Sequence, residues 1–338
     1  MSMQLLVRRL LSAIIVICTI SCVMDAQYSE SPRSNGQIQV KVRLVNVFTS
    51  VTDAAGAPVV DLNKDDFTIL EDGHPEKIAL FEQQSGVPLS IILALDISGS
   101  LRKDQSLELE SAKRFTASVL RKDDALALYT FSNYVNEVVP FSNRWRDISD
   151  GMHNIHAGGG TSLFDAIYLA SERLTRRNGR KVLVVITDGG DTTSKVNYQD
   201  AVRQAVEAEA IVYSIIVVPV NADAGRNTGG EHALIQISTD TGGKYYYADS
   251  TANLDAAFQQ ISRELRTQYL LGYYPSRKTT DSTFRSISVK VANVAAQNTG
   301  PRPHDPREAA DGSAPTAIRH PGPYKLRYRS GYYTQPSE

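Results

Sequence analysis

Three short apolar runs limit this chain more than any other feature: Ile91 to Leu95, Val182 to Ile186 and Ile215 to Val218. A strand with one wet face alternates apolar and polar residues, whereas a strand covered on both faces does not. The runs therefore fit inner strands of a parallel sheet. Between and after them the period changes to that of a helix. Leu163, Ala166, Ile167, Ala170 and Leu174 share one face, as do Leu254, Phe258, Ile261 and Leu265. Strands alternating with amphipathic helices predict an α/β fold with a doubly wound, mostly parallel sheet over residues 86–270.

The flanks have a different texture. Ile38, Val40, Val42 and Leu44 alternate with Gln39, Lys41 and Arg43, the period of a half-buried strand. Asp53-Ala54-Ala55-Gly56 and Glu71-Asp72-Gly73 read as turns, with strands expected at Phe67 and Ile69 and from Ile78 to Phe81. Period two returns at Ile287, Val289 and Val291, and again at Leu326 and Tyr328. Residues 37–85 and 271–338 each hold too few strands for a core of their own. The two sets are expected to pair into one small β-sandwich, with the α/β domain inserted between them. Residues 295–323, rich in Pro, Gly, Ala and charge, read as a disordered loop.

The N-terminus carries an address. Arg8 and Arg9 precede an uncharged run from Leu10 to Met24. A basic flank followed by an apolar stretch shorter than the ~20 residues of a membrane span is the layout of a secretory signal. Residues 1–26 are thus read as a signal peptide or N-terminal anchor, with lipid attachment at Cys22 as a variant, and 27–36 as a linker. An exported protein follows, whether periplasmic, cell-surface or secreted, and membrane-anchored if this segment is retained. Cys18 and Cys22 are the only cysteines, so the mature body has neither a disulfide framework nor a thiolate metal site. With 36 basic and 37 acidic residues the chain lacks the basic surplus of a nucleic-acid binder.

The chemistry collects at strand ends. Asp96-Ile97-Ser98-Gly99-Ser100 directly follows the first buried run, and residues two apart in extended backbone share a face. The second run leads into Thr187-Asp188-Gly189-Gly190-Asp191. A third segment, Gly158-Gly159-Gly160-Thr161-Ser162, opens a helix, with Ser162 and Asp165 at capping-box spacing. In open α/β sheets ligands bind beyond the carboxyl ends of the strands. Three loops would thus deliver hydroxyls and carboxylates to one edge. An all-oxygen set of modest charge suits a hard cation that keeps several waters: Mg²⁺ first, with Mn²⁺ or Ca²⁺ as alternatives.

With these motifs in order over residues 86–270, the chain resembles a von Willebrand factor type A domain with an intact metal-ion-dependent adhesion site. The resemblance implies that Ser98, Ser100 and Thr161 approach the metal, that Asp96 and Asp188 act largely through bound water, and that a partner's carboxylate completes the shell. Asp191 either tunes the site or ends a turn. The flanking strands are similar, more loosely, to those of bacterial exported proteins carrying such a domain. The function expected is metal-dependent binding of a protein or surface polymer, not catalysis. The alternatives are a structural part of an envelope assembly with a stabilising metal and a metal-dependent hydrolase.

Other signals are set aside. Asp61, Asn63, Asp65 and Asp72 imitate a calcium loop, but Asp66 stands where the loop needs glycine and no glutamate closes it. His153 and His156 have no evident third ligand and are expected as exposed helix residues. The glycine run lacks the Lys-Ser/Thr of a phosphate-binding loop.

Overall fold

A computed structural model describes residues 43–83, 86–99, 105–153, 155–218, 228–277, 282–292 and 323–334. The expected signal segment and linker, most of the strand expected at Ile38 to Leu44, most of the 295–323 loop, and Ser100 lie outside the described residues.

The strand period over residues 43–83 yields β1 (Val45–Thr52), β2 (Phe67–Glu71), β3 (His74–Glu76) and β4 (Ile78–Glu82). The first described strand thus begins at Val45, just after the alternation that ends at Leu44. Its inward residues Val45, Val47 and Val51 are buried. Asp72 and Gly73 connect β2 to β3 with φ of 47° and 80°. Two central residues with positive φ make the hairpin turn whose twist matches its strands, and Asp-Gly suits it.

The α/β domain follows as β5 (Leu89–Asp96), α1 (Gln105–Val119), β6 (Ala125–Phe131), β7 (Val135–Ser142), α2 (Trp145–Met152), α3 (Leu163–Thr175), β8 (Arg180–Thr187), α4 (Tyr198–Glu207), β9 (Ala210–Val217), α5 (Thr228–Asp240), β10 (Tyr245–Ala248) and α6 (Thr251–Thr267). Its sheet has the order β10-β9-β8-β5-β6-β7, parallel throughout except for β7. Every residue of β5 is buried, because helices cover both faces. Ile91 and Leu93 pack with Phe115, Ile148 and Phe258 from α1, α2 and α6. Ile92 and Ala94 pack with Leu163, Ala201 and Leu234 from α3, α4 and α5. The apolar runs are continuous for this reason.

The chain then returns through β11 (Tyr269–Tyr273), β12 (Phe284–Val291), β13 (Lys325–Arg327) and β14 (Gly331–Tyr333). Two antiparallel four-stranded sheets result, β13-β1-β11-β4 and β14-β12-β2-β3. Each mixes strands from before and after the α/β domain, and Val47, Ile69, Tyr269, Leu271 and Val289 lie in one shared core.

Polar groups tie the two layers. Arg180, fully buried at the start of β8, donates to the Leu265 carbonyl and to Gln268 Oε1. Gln268 Nε2 donates to Ser50 Oγ, and both Ser50 and Tyr213 donate to Glu264 Oε1 at 2.9 Å. Arg327 pairs with the other oxygen of Glu264. An unmatched Arg here would be costly, and this network supplies its acceptors.

Candidate metal centre

β5 and β8 are parallel neighbours with Leu95 opposite Ile186, so their next residues, Asp96 and Thr187, leave the sheet side by side. Thr187 Oγ1 donates to Asp96 Oδ2 at 2.6 Å, and the Ser98 amide donates to Asp96 Oδ1 at 2.8 Å. Asp96 and Ser98 are each 3% exposed. Burial pushes the Asp96 carboxyl up to about 6; hydrogen bonds from Thr187 and Ser98 oppose this, and the charge of Asp188 adds to it. Among the described residues no Lys or Arg forms an ion pair with Asp96. Its donors among the described residues are neutral.

The glycine run is pinned to this turn. Gly158 N donates to the Ile97 carbonyl at 2.6 Å, and Gly99 N to the Gly159 carbonyl at 3.3 Å. A Cβ on Gly158 would lie 2.3 Å from Ser132 Cβ, so only glycine allows the approach. Thr161, 5% exposed, follows at once. Its amide donates to Thr192 Oγ1 at 2.9 Å, and its carbonyl accepts from Thr192 and Thr193 N. Asp188 leaves the end of β8, half-buried, with Oδ1 accepting from Gly190 N at 3.1 Å. Gly189 between them has φ of 86°, which a side chain would strain.

The structure therefore gathers Asp96, Ser98, Thr161 and Asp188 in loops at one edge of the sheet. Ser100 is outside the described residues. Asp191 lies at the start of α3, where its Oδ1 accepts from the amides of Leu163 at 2.9 Å and Phe164 at 3.3 Å and from Ser194 Oγ. It anchors the helix that follows Thr161.

This corrects the capping box expected from Ser162 and Asp165. Ser162 makes no side-chain cap; its hydroxyl donates to the Asn133 carbonyl and meets Thr193 Oγ1. Asp165 Oδ1 accepts from Lys195 and Val196 N instead of reaching back. A carboxylate brought in from another loop satisfies the first helical amides and interacts with the helix dipole more strongly than a serine would. His153 and His156 are not helix residues: His153 caps the end of α2 and His156 follows in the loop.

A fourth loop went unmarked in the sequence. Asn133 Oδ1 accepts from Gly160 N at 2.7 Å, and the Ser132 carbonyl from Ser162 N at 2.7 Å. The available signal was a Ser-Asn turn directly after the apolar Ala125–Phe131 stretch.

Among the described residues no group of three or more His, Cys, Asp and Glu side chains could hold a metal. The donor set at this edge is of another kind, two carboxylates with serine and threonine hydroxyls. Asp96 is buried, has no cationic partner among the described residues and feels the charge of Asp188, so the set fits a hard divalent cation, which would neutralise both.

The model of the von Willebrand factor type A domain family matches residues 90–263, just over half of the chain. Inter-alpha-trypsin inhibitor heavy chain H4 of Sus scrofa is 24% identical over 221 residues, covering 60% of this chain and 23% of that protein. Its Bos taurus counterpart is 25% identical over 228 residues, covering 60% and 24%. The chain thus spans about a quarter of the length of these curated relatives. Among solved structures, the conserved hypothetical protein BatB from Bacteroides thetaiotaomicron aligns at 20% identity and a TM-score of 0.42, over 53% of this chain and 100% of its own. The vWF domain of the type V pili tip protein Mfa5 from Porphyromonas gingivalis aligns at 13% and 0.45, over 52% and 94%.

Proposed function

Because the chain belongs to the von Willebrand factor type A domain family, we propose that it is an exported binding protein that grips an acidic group of a protein or surface polymer through one divalent cation. Mg²⁺ is the first choice, with Mn²⁺ or Ca²⁺ as alternatives. Ser98 and Thr161, with Ser100 from the sequence motif, would hold the ion, and Asp96 and Asp188 would reach it through water. The ion's chemistry is that of a Lewis acid: with mostly neutral ligands it remains electron-poor and favours a carboxylate from outside.

The observation that carries this reading is Asp96, buried beside Asp188 with hydroxyl and amide donors and, among the described residues, no cationic partner. The protein's own part is positioning. Thr187 and the Ser98 amide orient Asp96, the glycine run places Thr161, and Asp191 secures the helix behind it.

Catalysis is not proposed. Metal-assisted hydrolysis needs a positioned acid or base, and Asp191 is committed to the α3 amides and Ser194. Export rests on the N-terminal signal pattern. Among the described residues no helix is long and apolar enough to cross a membrane.

The test is a calorimetric titration of the chain with Mg²⁺ and Mn²⁺, wild type beside Ser98→Ala, with melting followed in parallel. Saturable binding that the variant loses while still folding is the expected result. Equal binding in both proteins would rule the site out. A collapse of the fold in chelator would favour the stabilising-metal alternative.

A further inference from the structure

We propose a second, independent site in the seam between the sandwich and the α/β domain, one that takes a single small anion of halide size. Its centre is Arg329, between β13 and β14. The side chain is 9% exposed, and its Nε, Nη1 and Nη2 make no hydrogen bond with any described residue. A guanidinium has five N–H donors, and leaving them unmet out of water is costly.

The surroundings sharpen the anomaly. The nearest opposite charge is Glu209 Oε1, 3.5 Å from Arg329 Nη1. The same oxygen already faces Arg43 Nη2 at 3.3 Å. Lys181 belongs to the same electrostatic group: burial lowers its pKa, Glu209 opposes this, and Arg43 and Arg329 reinforce it. Arg329 and the largely exposed Arg43 thus share one carboxylate, with Lys181 adding positive charge nearby, so positive charge is in surplus here.

The backbone at Arg329 is pinned. It bridges to Thr241, the Ser330 amide donates to the Asp240 carbonyl at 2.8 Å, and a Cβ on Gly242 would lie 2.6 Å from Arg329 N. Glu209 has a φ of 56°, in the left-handed region that non-glycine residues seldom occupy.

A cavity of about 20 Å³ lies here, lined among others by Asn46, Phe48, Glu209, Thr241 and Arg329. That is room for one water-sized particle, a size that suits chloride better than phosphate or sulfate. Asn46 Oδ1 is buried without a hydrogen bond. Turned over, that amide offers an NH₂ donor in the same place. Guanidinium, amide and surplus charge all suit an anion. Because β1 and Arg329 come from the sandwich side while Lys181 and Glu209 come from the α/β domain, the bound ion would fasten one to the other.

The test uses the full chain in EDTA, so that the metal edge is silent, with chloride replacing gluconate at constant ionic strength. The melting temperature is expected to rise saturably, by roughly 2–4 °C. Arg329→Gln is expected to abolish the rise. Glu209→Gln removes the competing carboxylate, so its half-saturation moves to lower chloride. Crystals soaked in bromide are expected to show an anomalous peak beside Arg329. A flat response in both wild type and Glu209→Gln overturns the proposal and leaves the cavity to water. An equal rise in Arg329→Gln overturns it too. If that variant fails to fold, the comparison of wild type with Glu209→Gln and the bromide peak decide. Neither readout depends on the metal-site reading.

Discussion

Glu71 in the sandwich and Asp96 at the sheet edge are both carboxylates withdrawn from water, 0% and 3% exposed, yet their surroundings are opposite. Glu71 Oε2 accepts from Tyr273 at 2.7 Å and from Tyr332 at 2.8 Å, while Oε1 pairs with Arg285 and lies 3.8 Å from Arg277. Burial and the bond to Glu71 push the hydroxyl pKa of Tyr273 and Tyr332 well up, so both stay protonated donors. Asp96 has a threonine hydroxyl and an amide, and among the described residues the charge that acts on it is the repulsion of Asp188. One carboxylate is neutralised by the chain itself and serves the fold. The other meets no cation among the described residues, and that difference is what the proposed metal site rests on.

The contrast can be broken or sharpened by substitution. The largest effect is expected for Glu71→Ala, which strands Arg285 in the sandwich and should cost about 3–5 kcal/mol in urea unfolding, with Mg²⁺ binding by the surviving folded protein unchanged. Replacing both partners, Glu71→Gln with Arg285→Met, should recover most of that loss, since the penalty lies in the unpaired charge. Tyr273→Phe removes one donor to the same carboxylate and should cost about 1.5–3 kcal/mol, measured the same way. Asp191→Ala exposes the α3 amides and should cost about 1–2 kcal/mol while weakening metal affinity in calorimetry through Thr161. Asp96→Asn should cost no metal-free stability, because it removes a buried charge whose pKa the fold raises to about 6. Its melting temperature should no longer respond to Mg²⁺. If Asp96→Asn instead unfolds the protein as Glu71→Ala does, the two carboxylates are alike and the contrast fails.

Much of this was legible in the residues, unevenly. The inner strands β5, β8 and β9 announced themselves because two covered faces demand unbroken apolar runs. The edge strands β7 and β10 did not: β7 has no fully buried residue and β10 is four residues long. The positions of Asp96, Ser98 and Asp188 were readable because a strand end followed by small polar residues places them locally, and that of Thr161 because a glycine run precedes a helical period. Asn133 escaped notice because its partner, Gly160, is brought to it only by the packing of β6 beside β5. Glu71, read as part of a turn, is a buried core residue whose partners lie some two hundred positions away.

From sequence alone came the periodicities and their consequence, an α/β domain between two sets of strands with hydroxyls and carboxylates at strand ends, because such patterns arise from neighbours within one turn of helix or two residues of strand. Which charges are matched was decided only in three dimensions. Glu71 with Arg285, Arg180 with Gln268, and Glu209 shared by Arg43 and Arg329 are all pairs distant in the chain. Local pattern carries no information about whether a buried charge will meet its opposite, and on that matching the difference between structural and binding residues depends.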